Sequence, residues 1–253
     1  MHLSQRIKRS LLRRLLPVPV AARHAEYSML FSADDAVGPP SPRLISLALD
    51  AVRQAQTVSL EQISARMTER PHYPDIWPGE NYKLLAGFMR VLAPTRVVEV
   101  GTGGGSSTLA MQQGLPPDGR MVTFDILGWR DWPGCLLREE DFQDGRLSQS
   151  TDDLTDPVVF AKHRALFEEA ELIFFDAAKD GVMEQTFIDA LLGVSCRRPP
   201  IVVFDDIRLW NMLRIWRRLP LPKLDLTSFG HWTGTGVVEW DLSKRSLRPS
   251  GVA

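Results

Sequence analysis

Cysteine is nearly absent. Two residues in 253, Cys135 and Cys196, are too few and too far apart for a disulfide framework, so both are expected as reduced thiols of a cytoplasmic protein. Net charge is nearly absent as well. The 30 Lys and Arg against 31 Asp and Glu leave −1, which excludes broad nucleic-acid binding through a basic surface. No apolar run approaches the length that spans a bilayer. Repeats and low-complexity tracts are missing too. A chain of 253 residues buries most of the surface its unfolded form exposes, so neither metal nor disulfide is needed to hold it together.

Charge is not evenly spread, however. Arg6, Lys8, Arg9, Arg13, Arg14 and Arg23 face a single acid, Glu26, in the first thirty residues. Leu3, Ile7, Leu11 and Leu15 recur at four-residue spacing, the stripe of an amphipathic helix. Such a helix suits three roles: packing on its own domain or on a second subunit of a homo-oligomer, peripheral membrane contact through residues 1–20, or a disordered arm. A secretory signal fits poorly, because the apolar run from Leu15 to Ala22 is short and holds Pro17 and Pro19. Residues 31–41 read as a linker.

A helical segment follows, and then an alternating one. Ser41 with Pro42 starts one helix. Ser59 with Gln62, as a capping box, and Val58 against Ile63, as a staple, start a second. A proline-rich loop spans 71–79, and a third helix runs from about Glu80 to Leu92. Short β-branched or aromatic runs come next at 96–100, 121–125, 146–150, 172–176 and 201–205, separated by helical stretches at 106–113, 157–170, 182–192 and 207–218. Four of these strands are apolar at nearly every position and are expected to be buried on both faces. The alternation predicts an α/β fold, a doubly wound and mainly parallel sheet. Strands at 223–229 and 235–240 are joined by too short a turn for a parallel crossover, so they form an antiparallel C-terminal hairpin that completes seven strands. The division expected is an extension over 1–40, a helical cap over 41–93 and a ligand-binding domain over 94–253.

The junction after the first strand reads Glu99-Val-Gly101-Thr-Gly103-Gly-Gly105. Glycines there allow a sharp turn and close approach of backbone to a ligand. The dinucleotide fingerprint fails, since Ser106 stands at its third position, and no Lys-Ser/Thr pair makes a P-loop. An acid two residues before the first glycine suits a ligand with a positive amine, and Asp125 at the second strand end suits a ribose diol. Asp176 ends the fourth strand, and Asp205 with Asp206 ends the fifth. Neighbouring strands bring such ends together, and converging carboxylates call for a hard cation such as Mg²⁺. The bland alternatives are that Asp206 caps a helix beginning at Ile207 and that Asp176 is a turn residue.

VVEVGTGGG resembles the first motif of class I S-adenosylmethionine-dependent methyltransferases, and the likeness extends over about residues 80–241. It implies a Rossmann-like methyltransferase fold. S-adenosylmethionine would be held through Glu99, Gly101, Gly103, Gly105 and Ser107 at its methionine end, Asp125 at the ribose and Asp152 at the adenine. ELIFFDAAKDG resembles the Asp-x-x-Lys segment of metal-dependent catechol-type and caffeoyl-CoA O-methyltransferases. This implies Asp176 as a ligand and Lys179 as base or charge stabiliser. VVFDDIRLW is similar to their fifth-strand motif, with Asp206 where Asn is usual; the Asp-Asp pair looks more like macrocin-type sugar O-methyltransferases, which typically lack the lysine. The function expected is therefore metal-dependent O-methylation of a small-molecule hydroxyl on a sugar or glycosylated acceptor. Catechol methylation is the runner-up, and a non-catalytic scaffold that retains the fold is the alternative of another class. Trp77, Tyr82, Trp129, Trp132, Trp210 and Trp232 are candidate acceptor contacts, and His231 is a candidate catalytic residue, although aromatic residues are also ordinary core material.

Overall fold

The computed structural model describes residue 36 and residues 38–68, 73–209 and 211–244. The expected basic helix, most of the linker and Trp210 lie outside these residues. Pro42–Ala55 form helix α1, whose N-cap Ser41 accepts the Leu44 amide at 3.0 Å. A cap of this kind contributes about 1 kcal/mol. The second helix differs from expectation. Helix α2 spans only Glu61–Ser64 and has no capping box. The carboxylate of Asp75, fifteen residues along the chain, takes the Leu60 amide at 2.5 Å and sets the helix start in place of Ser59. Helix α3 runs Tyr82–Leu92 and stops at Ala93 in the left-handed conformation, just before Pro94.

The strands fall where apolar runs placed them, within a residue or two. β1 (Arg96–Val100), β2 (Arg120–Phe124), β3 (Leu147–Ser150), β4 (Leu172–Phe175) and β5 (Ile201–Asp205) pair in parallel. β6 (Lys223–Asp225) and β7 (Thr235–Glu239) are antiparallel to each other, and β7 is antiparallel to β5. The sheet order is β3-β2-β1-β4-β5-β7-β6. The hairpin therefore closes back, with β7 inserted beside β5. β6 is shorter than expected because Thr227–Phe229 turn as a 3₁₀ segment.

Helices cover both faces. On one, α1, α3 and α4 (Ser106–Gln112) share a core with Val97, Met121, Leu172, Phe174 and Val203. On the other, α5 (Pro157–Glu169), α6 (Met183–Leu192) and α7 (Met212–Arg218) pack on Val98, Phe124, Ile173, Phe175 and Phe204. The helical segment before β1 thus belongs to the same core as the sheet. β4 and β5 are buried at every position, which two covered faces require, at about 1.5–3 kcal/mol per large side chain. α7 starts five residues later than the pattern implied, so Asp206 does not cap it. Instead Asp206 is itself left-handed, with φ 59°, in a turn ahead of the helix.

Candidate active site

A cavity of about 680 Å³ opens at the carboxyl ends of the parallel strands. One end is made of backbone. The loop from Gly101 to Gly105 turns with φ of 103°, 47° and 82° at its three alternate glycines. At Gly101 a Cβ would overlap the carbonyl oxygen of Asp176 on β4's end, so no other residue fits there without displacing that strand end. Gly103 donates its amide to Asp125 Oδ2 at 2.9 Å, and Leu127 donates to Oδ1 at 3.1 Å, which fixes that carboxylate on the cavity wall. Ser107 also lines the wall, at the start of α4.

Glu99 is the exception among the residues expected here. It is 0% exposed, does not line the cavity, and accepts the hydroxyls of Ser107 and Thr108 at 2.5 Å each. Burial raises its pKa to about 7, against those hydrogen bonds. Its place is behind the wall, where it fixes Ser107. Asp152 does line the cavity and is exposed; its Oδ2 pairs with His163 Nε2 at 2.6 Å and accepts from Ser150 at 3.0 Å. His163 in turn stands edge-on to Phe124, with ring centroids 4.9 Å apart.

A cluster of charged side chains reaches this cavity through Asp176 alone; Lys179, Asp205, Asp206 and His231 do not line it. Lys179 Nζ bridges Asp176 Oδ1 and Asp206 Oδ2, the latter at 2.9 Å. His231, from the β6–β7 turn, places Nδ1 at 3.5 Å from both Asp205 and Asp206, and Nε2 at 3.8 Å from Glu80. Thr233 donates to Asp206 and lies 2.7 Å from His231 Nδ1. Asp205 and Asp206 are only 6% and 8% exposed. Of the three non-glycine residues with positive φ among those described, two are Lys179 and Asp206. Strained backbone of this kind, at about 1–3 kcal/mol per residue, persists where surrounding contacts dictate it. Glu184 supplies such contacts, accepting the amides of Lys179 and of Gly181, the latter at 2.6 Å.

Electrostatics sort these groups. Burial opposes the Lys179 charge, but Asp176, Asp205 and Asp206 outweigh it and raise the pKa, which favours the ammonium at neutral pH. Burial would likewise lower His231, yet Asp205 and Asp206 lift it to about 10. Asp206 is held below the usual carboxylate range, since His231, Lys179 and Thr233 together exceed the cost of its burial. Asp176 goes the other way, raised by burial and by the Asp205 charge.

A divalent cation would fit one subset on displacing the proton that Asp205 and Asp206 hold on His231. Ligand atoms of Asp205, Asp206 and His231 lie within 4.8 Å of one another. Asp205 Oδ1 is buried with no hydrogen bond and only the His231 ring at 3.5 Å, a condition that a bound cation would relieve. Asp176, expected as a ligand, falls outside this set because Lys179 occupies the space between it and Asp206. Glu80, Thr233 and Glu184 went unnoticed in the sequence. The first follows a proline-rich loop and the second sits in a hairpin turn, and neither position carries a local signal.

The sheet order with its inserted antiparallel β7 is that of a Rossmann-like methyltransferase fold. A family profile described as O-methyltransferase matches residues 52–131, roughly a third of the chain. No curated protein matches. Among solved structures, the chain is similar to the O-methyltransferase TomG from Streptomyces achromogenes, involved in tomaymycin synthesis and bound to S-adenosylmethionine (17% identity, 76% of this chain and 90% of that one, TM-score 0.46). Cofactor-bound Rv0187 from MTB is similar at 18% identity over 81% and 92% of the two chains, with a TM-score of 0.47. MycE, a methyltransferase of mycinamycin biosynthesis in complex with Mg, S-adenosylhomocysteine and mycinamycin VI, is similar at 19% identity over 59% and 37%, TM-score 0.38. Among the described residues, no helix is long and apolar enough to cross a membrane.

Proposed function

We propose that the chain is an S-adenosylmethionine-dependent O-methyltransferase, acting with a divalent cation on a hydroxyl of a sugar or sugar-bearing small molecule. The observation that carries this reading is the close packing of Gly101 on the Asp176 carbonyl. It sets the loop expected to hold the methyl donor directly against the strand end that bears the acids. The glycine loop and Ser107 would take the donor's methionine end, Asp125 its ribose hydroxyls, and Asp152 its adenine.

The chemical difficulty in O-methylation is the nucleophile, since an alcohol is almost wholly protonated at neutral pH. A divalent cation held by Asp205, Asp206 and His231 would lower the pKa of an acceptor hydroxyl. Lys179 adds a fixed positive charge beside the developing alkoxide. Asp176, on the cavity wall, would receive the proton. Tyr82 and the glycine loop close the wall around donor and acceptor, so that proximity supplies much of the remaining rate.

Trp232 supports a sugar acceptor. It is 78% exposed beside His231, with ring centroids 6.0 Å apart, and offers an aromatic face to a pyranose next to the acids. Lys179 on Asp176 favours the second reading, a catechol. Titration calorimetry with S-adenosylmethionine and NAD, followed by methyl-transfer assays on sugars and catechols with and without EDTA, tests the proposal. Binding of NAD in place of S-adenosylmethionine overturns it; full activity in EDTA removes the cation alone.

A further inference from the structure

A second cavity, of about 320 Å³, lies between the turn after β4 and helix α7. Its wall includes Asp180, Gln185, Asn211, Arg214 and Arg218. Arg214 and Arg218 stand four residues apart on one helix face, where like charges repel. Both are exposed, and neither guanidinium makes a hydrogen bond or ion pair among the described residues. Elsewhere on this protein arginines are routinely paired, as Arg66 is with Asp141 and Arg208 with Asp225. Two unpaired forks around one hollow lack only an anion. The single acid on the wall, Asp180, is turned onto backbone amides, accepting from Val182 at 2.7 Å and Met183 at 3.0 Å.

Asp180 lines the large cavity as well, one residue beyond Lys179, so the two hollows adjoin at the acid end of the site. Asn211 holds that seam by donating to the Asp180 carbonyl at 2.8 Å. We infer that the Arg214–Arg218 cavity takes a phosphate or carboxylate group carried by the acceptor, whose hydroxyl lies at the acid cluster. The inference rests on the methyl-transfer reading above and narrows its acceptors to anionic ones.

Paired acceptors test it: glucose 6-phosphate against glucose, and dihydroxyphenylpropionate against dopamine, each with saturating S-adenosylmethionine. The wild-type protein is expected to favour the anionic member by about tenfold or more in kcat/KM. In R214A/R218A the ratio should fall to about one, and in R214E/R218E below one. Unchanged affinity for S-adenosylmethionine shows that both variants are folded. A wild-type ratio near one, or a ratio the substitutions leave alone, overturns the inference. So does a rise in melting temperature with inorganic phosphate that needs both arginines while the acceptor ratio stays flat, for the cavity then serves a free anion. If no acceptor is methylated although S-adenosylmethionine binds, the methyl-transfer reading has failed. Calorimetry of glucose 6-phosphate against glucose, on wild type and R214A/R218A, then decides the cavity separately.

Discussion

At the glycine end of the large cavity the ligand-facing surface is main chain with positive φ, and its two carboxylates, Asp125 and Asp152, are already engaged by neighbouring donors. At the acid end Asp176 on the wall is linked by Lys179 to Asp206, and His231 faces Asp205 and Asp206, whose cluster lies off the cavity surface. The first end is specified by shape and the second by electrostatics. Damage should therefore show differently at each. A shape defect costs stability and cofactor affinity together, whereas a charge defect costs turnover and leaves the fold and the cofactor untouched.

The largest effect belongs to Asp205. D205A is expected to lower kcat by about 10²–10³ or more while calorimetric affinity for S-adenosylmethionine stays within about twofold. Equal losses in both would erase the distinction between the two ends. EDTA should bring the wild-type protein down to the same rate, and D205A should respond little to it. G101A comes next. A Cβ there meets the Asp176 carbonyl at φ 103°, and denaturant titration should show a loss of about 2–4 kcal/mol together with weakened cofactor binding.

Glu99 gives a smaller, pH-dependent effect. Its folded pKa of about 7 lies above the ordinary 4.5, so the folded state keeps a proton that the unfolded state has released between those values. Stability from this group is full below pH 4.5 and is lost as pH rises through 7, a span of about 3 kcal/mol. Melting temperatures of wild type and E99Q should converge at low pH and separate as pH rises, with the wild type falling. Parallel curves would show that Glu99 is not buried as described. The smallest effect expected is that of D152N, which gives up a charge at an exposed position. Cofactor Kd should rise about three- to tenfold with kcat unchanged.

Most of the fold was legible because parallel strands covered on both faces are apolar at nearly every position, as the runs LIFF and IVVF before Asp176 and Asp205 are. Errors arose where a distant group overruled a local signal. Ser59 and Gln62 form a capping pattern, yet Asp75 reaches the helix start first. The stretch from Ile207 has helical spacing, but its first residues turn back toward the hairpin, Ile207 and Arg208 donating to the carbonyls of Gly234 and Thr233. The glycine loop was legible because its alternate glycines take positive φ, which the motif itself signals. At the acid end the carboxylates were visible and their partners were not. That Lys179 separates Asp176 from Asp206 depends on the turns after β4 and β5, and that His231 joins Asp205 and Asp206 depends on the packing of β7 against β5, neither of which any spacing in the sequence encodes.

That packing bears on when the protein first becomes competent. Asp176, Lys179, Asp205 and Asp206 all leave the ribosome before the strand that brings His231 and Thr233 to them. During synthesis the β4 and β5 tips thus pass through an interval in which their carboxylates have only the lysine for company. Chains stalled within that interval should hold the donor-binding loop and yet be catalytically silent.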